Sequence, residues 1–183
     1  MMLKRSRLIG LMATGLLVTS ALTSAKTQAA DVPIKITGTI QIPPCEVNEG
    51  KVIVVDFKDV SVTDEANKNN LRKVVVPFRC NYSQGTAYVK LTGYQLGSYK
   101  NVLKTNIDYF GIALYQGEGT AIKLLLGNGK HSGQDSIGYP ILSGLSGKEK
   151  GTFTFTAIPF KERDKKLTAG AFTASANMSI SYF

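Results

Sequence analysis

The reading of the fold turns on VPIKITGTI, residues 32–40, taken together with the closing FTASANMSISYF, residues 172–183. In the first stretch Val32, Ile34, Ile36, Gly38 and Ile40 put apolar or small residues at alternate positions. In the second, Phe172, Ala174, Ala176, Met178, Ile180 and Tyr182 do the same. A period of two sends successive side chains to opposite faces, so both stretches read as strands. The first lies between a removable leader and the first cysteine, outside the run of strands that follows. It has no evident partner at home, and such a strand is available to a neighbour.

Upstream of it, residues 1–30 have a basic start (Lys4, Arg5, Arg7), an apolar stretch from Leu8 to Leu22 broken only by small residues, and an Ala-rich end, TQAA. That is the layout of a secretory signal peptide. The apolar stretch is too short and too interrupted for a membrane span of about 20 residues. No membrane span is expected, and the mature protein should be soluble. Cleavage after Ala29 and cleavage after Ala30 both remain open, with Asp31 as the expected new terminus. The expected organisation is a leader at 1–30, an extension at 31–42 and a domain at 43–183.

The whole chain carries 22 Lys and Arg against 13 Asp and Glu, a net charge of +9. Without Lys4, Arg5, Arg7 and Lys26 the balance falls to about +5, so much of the basic character belongs to the leader. Roughly 150 mature residues fit one domain with a real core. Cys45 and Cys80 are the only cysteines, they lie in an exported chain, and their number is even, which reads as one disulfide. Closing that loop is worth about 3 to 4 kcal/mol in the chain-entropy account.

Downstream, PPC at 43–45 marks a break, because two prolines cannot donate to a ladder. Short β-rich runs follow: KVIVVDF from Lys51, KVVVPFRC from Lys73, TAYVKLTGY from Thr86, YFGIALYQ from Tyr109, AIKLLL from Ala121, GTFTFTAIPF from Gly151 and the C-terminal strand. Turn-rich segments such as TDEANKNN and GNGKHSGQDSIG separate them. The stretch from Gly127 to Gly147 holds six glycines and reads as a long, mobile connection. About seven short strands with one disulfide between sheets indicate an all-β immunoglobulin-like sandwich. With no tryptophan, and with Cys45 at the very start of the body, it is a variant of that sandwich.

Residues suited to catalysis are few. A single histidine, His131, makes no metal cluster, and Ser132 and Asp135 beside it in sequence do not make a triad, which is a spatial arrangement. An exposed loop histidine is the expectation. GNGKHSG lacks the phosphate-loop pattern and no helix follows it. KERDKK at 161–166 mixes signs without an aromatic, so a solvated hairpin tip is expected there and no nucleic-acid site. The sequons at Asn81 and Asn177 carry little weight. No enzyme activity, cofactor or metal is expected.

Several features occur together at a characteristic spacing: the alternating extension with a glycine, ITGTI around Gly38; a cysteine just after it, in IPPC; a second about 35 residues on; Gly170 at the fourteenth position from the end; and Tyr182 as the penultimate residue. On these the chain resembles the pilin subunits of the bacterial chaperone-usher pathway. Within that family IQIPPCEVNEGKVIVVDF, TNIDYFGIALYQGEG, LLLGNG and TFTFTAIPF are similar to the minor adaptor subunits of pilus tips, over nearly the whole mature chain. The terminal Phe183 departs from the polar or basic end common in the family.

The resemblance implies an incomplete immunoglobulin-like sandwich that lacks its seventh strand and is completed by a strand from a periplasmic chaperone, then from a neighbouring subunit. Val32, Ile34, Ile36, Gly38 and Ile40 would be the donor residues, with Gly38 where the neighbour's pocket is shallow. Four large apolar side chains correspond to roughly 6 to 12 kcal/mol of gross burial before ordering costs. Gly170, Phe172, Ala174, Ala176, Met178, Ile180, Tyr182 and Phe183 would form the receiving strand, with the Phe183 carboxylate held by basic residues of the chaperone. The implied partners are that chaperone, an outer-membrane usher, a tip adhesin and a neighbouring pilin, with the chain exported through the periplasm to a pilus on the cell surface. An ordinary tip-fibre or shaft subunit is the nearest alternative. A free carbohydrate-binding module is the alternative from another class, with eight tyrosines but no tryptophan to stack on sugars. An adhesin is less expected, because a receptor-binding domain would precede the pilin domain.

Overall fold

The computed structural model describes residues 31–61, 70–131, 134–142, 145 and 147–183, and the side chains of all of these except 130, 131, 134 and 135. The leader, most of TDEANKNN and the side chains of His131, Ser132 and Asp135 lie outside the described residues. The chain separates into two units, 1–38 and 39–183. Residues 31–38 of the first join no strand ladder, and Val32, Ile34 and Ile36 are exposed. Ile40, at the start of the second unit, is 99% exposed. Alternate apolar side chains of this stretch are thus left exposed.

The second unit is built from β1 (Glu46–Val47), a single 3-10 turn (Asn48–Gly50), β2 (Arg72–Arg79), β3 (Ala87–Gly93), β4 (Val102–Lys104), β5 (Phe110–Gln116), β6 (Ile122–Lys123), β7 (Lys130–His131), β8 (Gln134–Asp135), β9 (Tyr139–Pro140), β10 (Lys150–Lys161) and β11 (Ala176–Tyr182). One sheet runs β1-β2-β10-β5-β4, with β6 also on β5. The second runs β11-β3-β9, and β7 and β8 pair as a small hairpin. Every pairing is antiparallel. Short β-rich runs with apolar residues on one face have buried that face against a second sheet.

Alternation decides the core. In β10, Phe153, Phe155 and Ala157 point inward. They meet Val76 and Phe78 of β2, Ile112 and Leu114 of β5, and Val89, Leu91, Ile180 and Tyr182 of the second sheet. β5 is buried on both faces because the segment after β3 folds over its outer side, where Leu96 and Val102 pack with Ala113, Tyr115 and Phe160. Cys45 and Cys80 are joined by a disulfide with Cα atoms 4.2 Å apart. Cys45 sits where the chain crosses between sheets. Its N–H donates to the Ile180 carbonyl at 2.7 Å, and the next residue, Glu46, pairs with Arg79 of the other sheet.

Several expectations are corrected. KVIVVDF joins no ladder: residues 51–57 are assigned to no strand, are bonded at Asp56 and Phe57 by the Arg72 side chain of β2, and end in the buried Phe57. The C-terminal strand is laddered only over Ala176–Tyr182, so Phe172 and Ala174 precede it. AIKLLL contributes only Ile122–Lys123 to a strand, while Leu124 and Leu126 go into the core as irregular chain. The glycine-rich stretch from 127 to 147 carries β7, β8 and β9 and buries Ile137, Ile141 and Leu145. KERDKK is not a hairpin tip, because β10 and β11 belong to different sheets and the segment begins the crossing between them.

Candidate functional site: an open groove along β11

β11 pairs with β3 on one side and is the last strand of its sheet on the other. Which backbone groups face the open side follows from the pairing. Phe183 and Thr86 exchange both hydrogen bonds, at 2.8 and 3.1 Å. In an antiparallel ladder such pairs recur every second residue, so Ser181, Ser179 and Asn177 also turn their backbone groups toward β3. Tyr182, Ile180, Met178 and Ala176 turn theirs outward. The Ile180 carbonyl is taken by Cys45, which leaves the edge open from Met178 downward.

The same parity continues upstream through a side chain. The Asn106 amide nitrogen donates to the Ala171 carbonyl at 3.1 Å, and the Thr173 N–H donates to the Asn106 carbonyl oxygen at 2.7 Å. Asn106 thus stands in for a strand across from 171 and 173, and Phe172 and Ala174 present their backbone to the open side. Free edge therefore extends from about Gly170 to Met178. An unpaired edge of that length is a template for another strand.

Facing this edge is the extended segment 51–57. Between the two lies a cavity of about 350 Å³ lined by Ile53, Val55, Phe57, Ala174, Ala176 and Met178 at the rims, with Leu91, Leu103, Ile112, Leu114, Phe155 and Ala157 as its floor. A second chamber of about 510 Å³ continues past Phe57 and Phe172 toward Gly170, Leu167 and Ile107. Its rim is more polar. There the Asp56 carboxyl is held below its usual range by hydrogen bonds from the Lys58 side chain and backbone. The rim 51–57 is anchored by Arg72, whose Nε donates to the Asp56 carbonyl at 3.1 Å and whose Nη2 donates to that of Phe57 at 3.0 Å. The guanidinium also lies over the Phe57 ring, 5.5 Å from its centroid.

The structure brings the expected receiving residues to this groove in part. Phe172, Ala174, Ala176 and Met178 line it, and Gly170 lies on the second chamber. Ile180 and Tyr182 face the same way but are closed over, both 0% exposed. The Tyr182 ring is a core element: its hydroxyl lies 2.6 Å from the Leu145 carbonyl oxygen and 2.7 Å from that of Lys148. Burial raises its pKa. Phe183 turns outward, its ring edge-on to Tyr88 at 6.0 Å. Its backbone fits against Gly85, at φ +89°, where a Cβ would collide with the Phe183 carbonyl oxygen. Asn106 and Arg72 were not singled out from the sequence, since nothing local marks a partner 65 or 16 residues away. Among the described residues no group of three His, Cys, Asp or Glu side chains could hold a metal ion.

The sandwich thus has an open edge above an apolar groove, in a chain that leaves alternate apolar side chains at 32–40 exposed. The sequence profile described as "Fimbrial protein" matches residues 34–183. The chain belongs to this family. It is 41% identical over 154 residues to the fimbrial adapter PapF of Escherichia coli, covering 84% of this chain and 89% of that protein. The minor fimbrial protein PrsF of Escherichia coli shows the same identity and coverage. Among solved structures, one reported for the P pilus adaptor subunit PapF and its polymerization reactivity aligns with a TM-score of 0.55 at 34% identity, over 79% of this chain and all of that one. The P pilus rod subunit PapA aligns with a TM-score of 0.57 at 19% identity, over 77% of this chain, which shows the shared fold. The sandwich is thus the incomplete immunoglobulin-like fold of pilin subunits.

Proposed function

We propose that this chain is a structural minor subunit of a chaperone-usher pilus, an adaptor that joins a tip adhesin to the fibre by exchange of strands. The observation that carries this reading is the vacant edge from Gly170 to Met178 above an apolar floor, in a chain whose own extension at 31–42 leaves Val32, Ile34, Ile36 and Ile40 exposed. Backbone pairing along the edge supplies affinity, and alternate side chains entering the groove supply specificity. A periplasmic chaperone fills the groove first, the usher receives that complex, and the extension of a neighbouring pilin replaces the chaperone strand. This chain's extension in turn completes another subunit. An adaptor place is favoured over a shaft place by the 34% identity to the PapF structure against 19% to the rod subunit.

The experiment is periplasmic expression with and without the cognate chaperone. The chain should be recovered in quantity only as the chaperone complex, and otherwise be degraded or aggregated. A stable monomer in good yield without the chaperone contradicts the reading.

A further inference from the structure

The open edge has two unlike halves. From Ala176 onward it is a strand laddered on β3, whereas residues 171–175 belong to no strand. In that half a single side chain takes the place of a ladder. The Asn106 amide nitrogen donates to the Ala171 carbonyl, and the Thr173 N–H donates to the Asn106 carbonyl oxygen. A carboxamide carries a donor and an acceptor together, as a peptide group does, so it satisfies the backbone on both sides of Phe172 at once. Asn106 is itself fixed. It lies in the turn between β4 and β5, where the buried Thr105 hydroxyl accepts the Ile107 N–H at 3.1 Å and lies 2.9 Å from the Phe110 carbonyl oxygen. The Thr105 N–H donates to that same carbonyl, and the Phe110 N–H donates to the Ile107 carbonyl. The Phe172 ring meets the Phe110 ring edge to face at 4.9 Å and lies 6.2 Å from that of Phe57. One turn therefore grips Phe172 twice, by its backbone neighbours through Asn106 and by its ring through Phe110.

Gln116, at the end of β5, makes the same kind of clamp on another segment. Its Nε2 donates to the Pro140 carbonyl at 3.1 Å, and the Leu142 N–H donates to its Oε1 at 3.2 Å. Gln116 is buried, and its clamp joins two parts of the finished body. Asn106 is exposed, and the segment it clamps has an open side. We propose that Asn106 is a positioning residue for strand capture: it holds 171–173 extended in advance, so that an incoming strand pairs with the Phe172 backbone without first having to order it. The inference rests on the strand-exchange reading above. Its physical ground is the cost of ordering, because every residue fixed at the moment of binding subtracts from affinity, and a segment already fixed does not. An exposed amide that bonds an unladdered segment adds little to the folding of the sandwich and much to the readiness of its edge.

The test uses the full mature chain with a copy of residues 31–42 appended after Phe183 through about eight Gly and Ser residues. Amide hydrogen exchange in the copy reads how often it leaves the edge, and exchange in β10 reads the opening of the sandwich itself. With the natural residues in place the copy should be protected. Asn106→Ala should lower that protection about tenfold or more while β10 keeps most of its own. Gln116→Ala is the control, since it removes the same kind of clamp at a residue that lines neither cavity. There the copy should lose no more protection than β10 loses. Ile137→Val, at a buried position that also lines neither cavity, replaces that control if it is too unstable to measure. Asn106→Asp keeps the acceptor and loses the donor; it should give a smaller loss, and it serves if the alanine variant does not fold. Unchanged protection of the copy in the Asn106 variants, or a loss that β10 shares equally, overturns the inference and leaves strand exchange standing. A copy left unprotected beside the natural Asn106 removes strand exchange, and this inference with it.

Discussion

The Tyr182 hydroxyl lies 2.6 Å from the carbonyl oxygen of Leu145, and its single proton is shared with the Lys148 carbonyl at 2.7 Å. The penultimate residue thereby ties β11 to the segment that leads into β10. This explains why an end residue matters to the whole sandwich: β11 is held from inside the core. Tyr182→Phe keeps the ring and removes the donor, taking the hydroxyl from the Lys148 carbonyl and leaving the Leu145 carbonyl with only the Lys148 N–H at 3.2 Å, at a cost of about 1 to 3 kcal/mol. The loss should appear as a lower melting temperature of the chaperone-bound or strand-complemented protein. The same hydroxyl gives a pH signature. Its pKa is raised by burial, so the contribution is fully present below the unfolded value of about 10 and is lost as pH rises beyond it. Tyr182→Phe should flatten the alkaline fall in stability, and an unchanged alkaline limb counts against this role.

The rim at 51–57 depends on a side chain in place of a ladder. Arg72 donates to the carbonyls of Asp56 and Phe57 and covers the Phe57 ring. Lysine cannot reproduce that fork, since its ammonium is a point donor without the planar spread. Arg72→Lys should therefore leave the two sheets intact and release the rim. Amide hydrogen exchange at Val52–Phe57 should rise about tenfold or more, with little change in β10. Chaperone binding should weaken in parallel. Equal protection in both proteins would show that the rim is held by other contacts.

The period-two pattern over Ala176–Tyr182 was legible, and so was the pairing of the only two cysteines, whereas the same period at 32–40 forms no strand here. What resisted reading was anything set by a partner. KVIVVDF has the composition of a strand, yet residues 51–57 join no ladder among the described residues. Alternation marked Phe172, Ala174 and Ala176 alike, because a period reports direction and not size. The difference between a filling ring and an open space emerged only when Phe110 and Phe57 were seen against Phe172. The glycines between 127 and 147 masked Ile137, Ile141 and Leu145, which are spaced irregularly and buried by the fold around them. KERDKK carried no sign of which sheet the next strand would join. Asn106 reads as an ordinary turn residue until 171 and 173 come beside it.

Cys45 is bonded both to Cys80 and, through its N–H, to Ile180, so the disulfide fixes the point at which the free edge ends. Cys45→Ser should cost about 3 kcal/mol, a large share of the stability of a domain short of one strand. Alkylation and mass measurement on the native periplasmic protein should find no free thiol. In the serine variant, periplasmic yield should fall several-fold even with the chaperone present. Two free thiols in the native material would defeat the assignment.

On the strand-exchange reading, Gly38 is the position that separates donation from reception. A Cβ built on it meets no atom within 4 Å, so this position places no demand on the fold of its own chain. Gly38→Arg should therefore fold, retain the disulfide and bind the chaperone as the natural sequence does. On the strand-exchange reading the burden falls on the next subunit, whose groove would have to take in a long charged side chain. Burying it unpaired costs several kcal/mol, enough to stop exchange. By contrast, Phe172→Asp leaves the extension untouched and puts a charge inside the receiving groove, so it should lose the chaperone complex itself. Co-purification with the chaperone followed by incorporation into surface pili tells the two defects apart. If Gly38→Arg lost the chaperone complex as completely as Phe172→Asp, the extension would belong to its own domain's fold, and the donor role would have to be withdrawn.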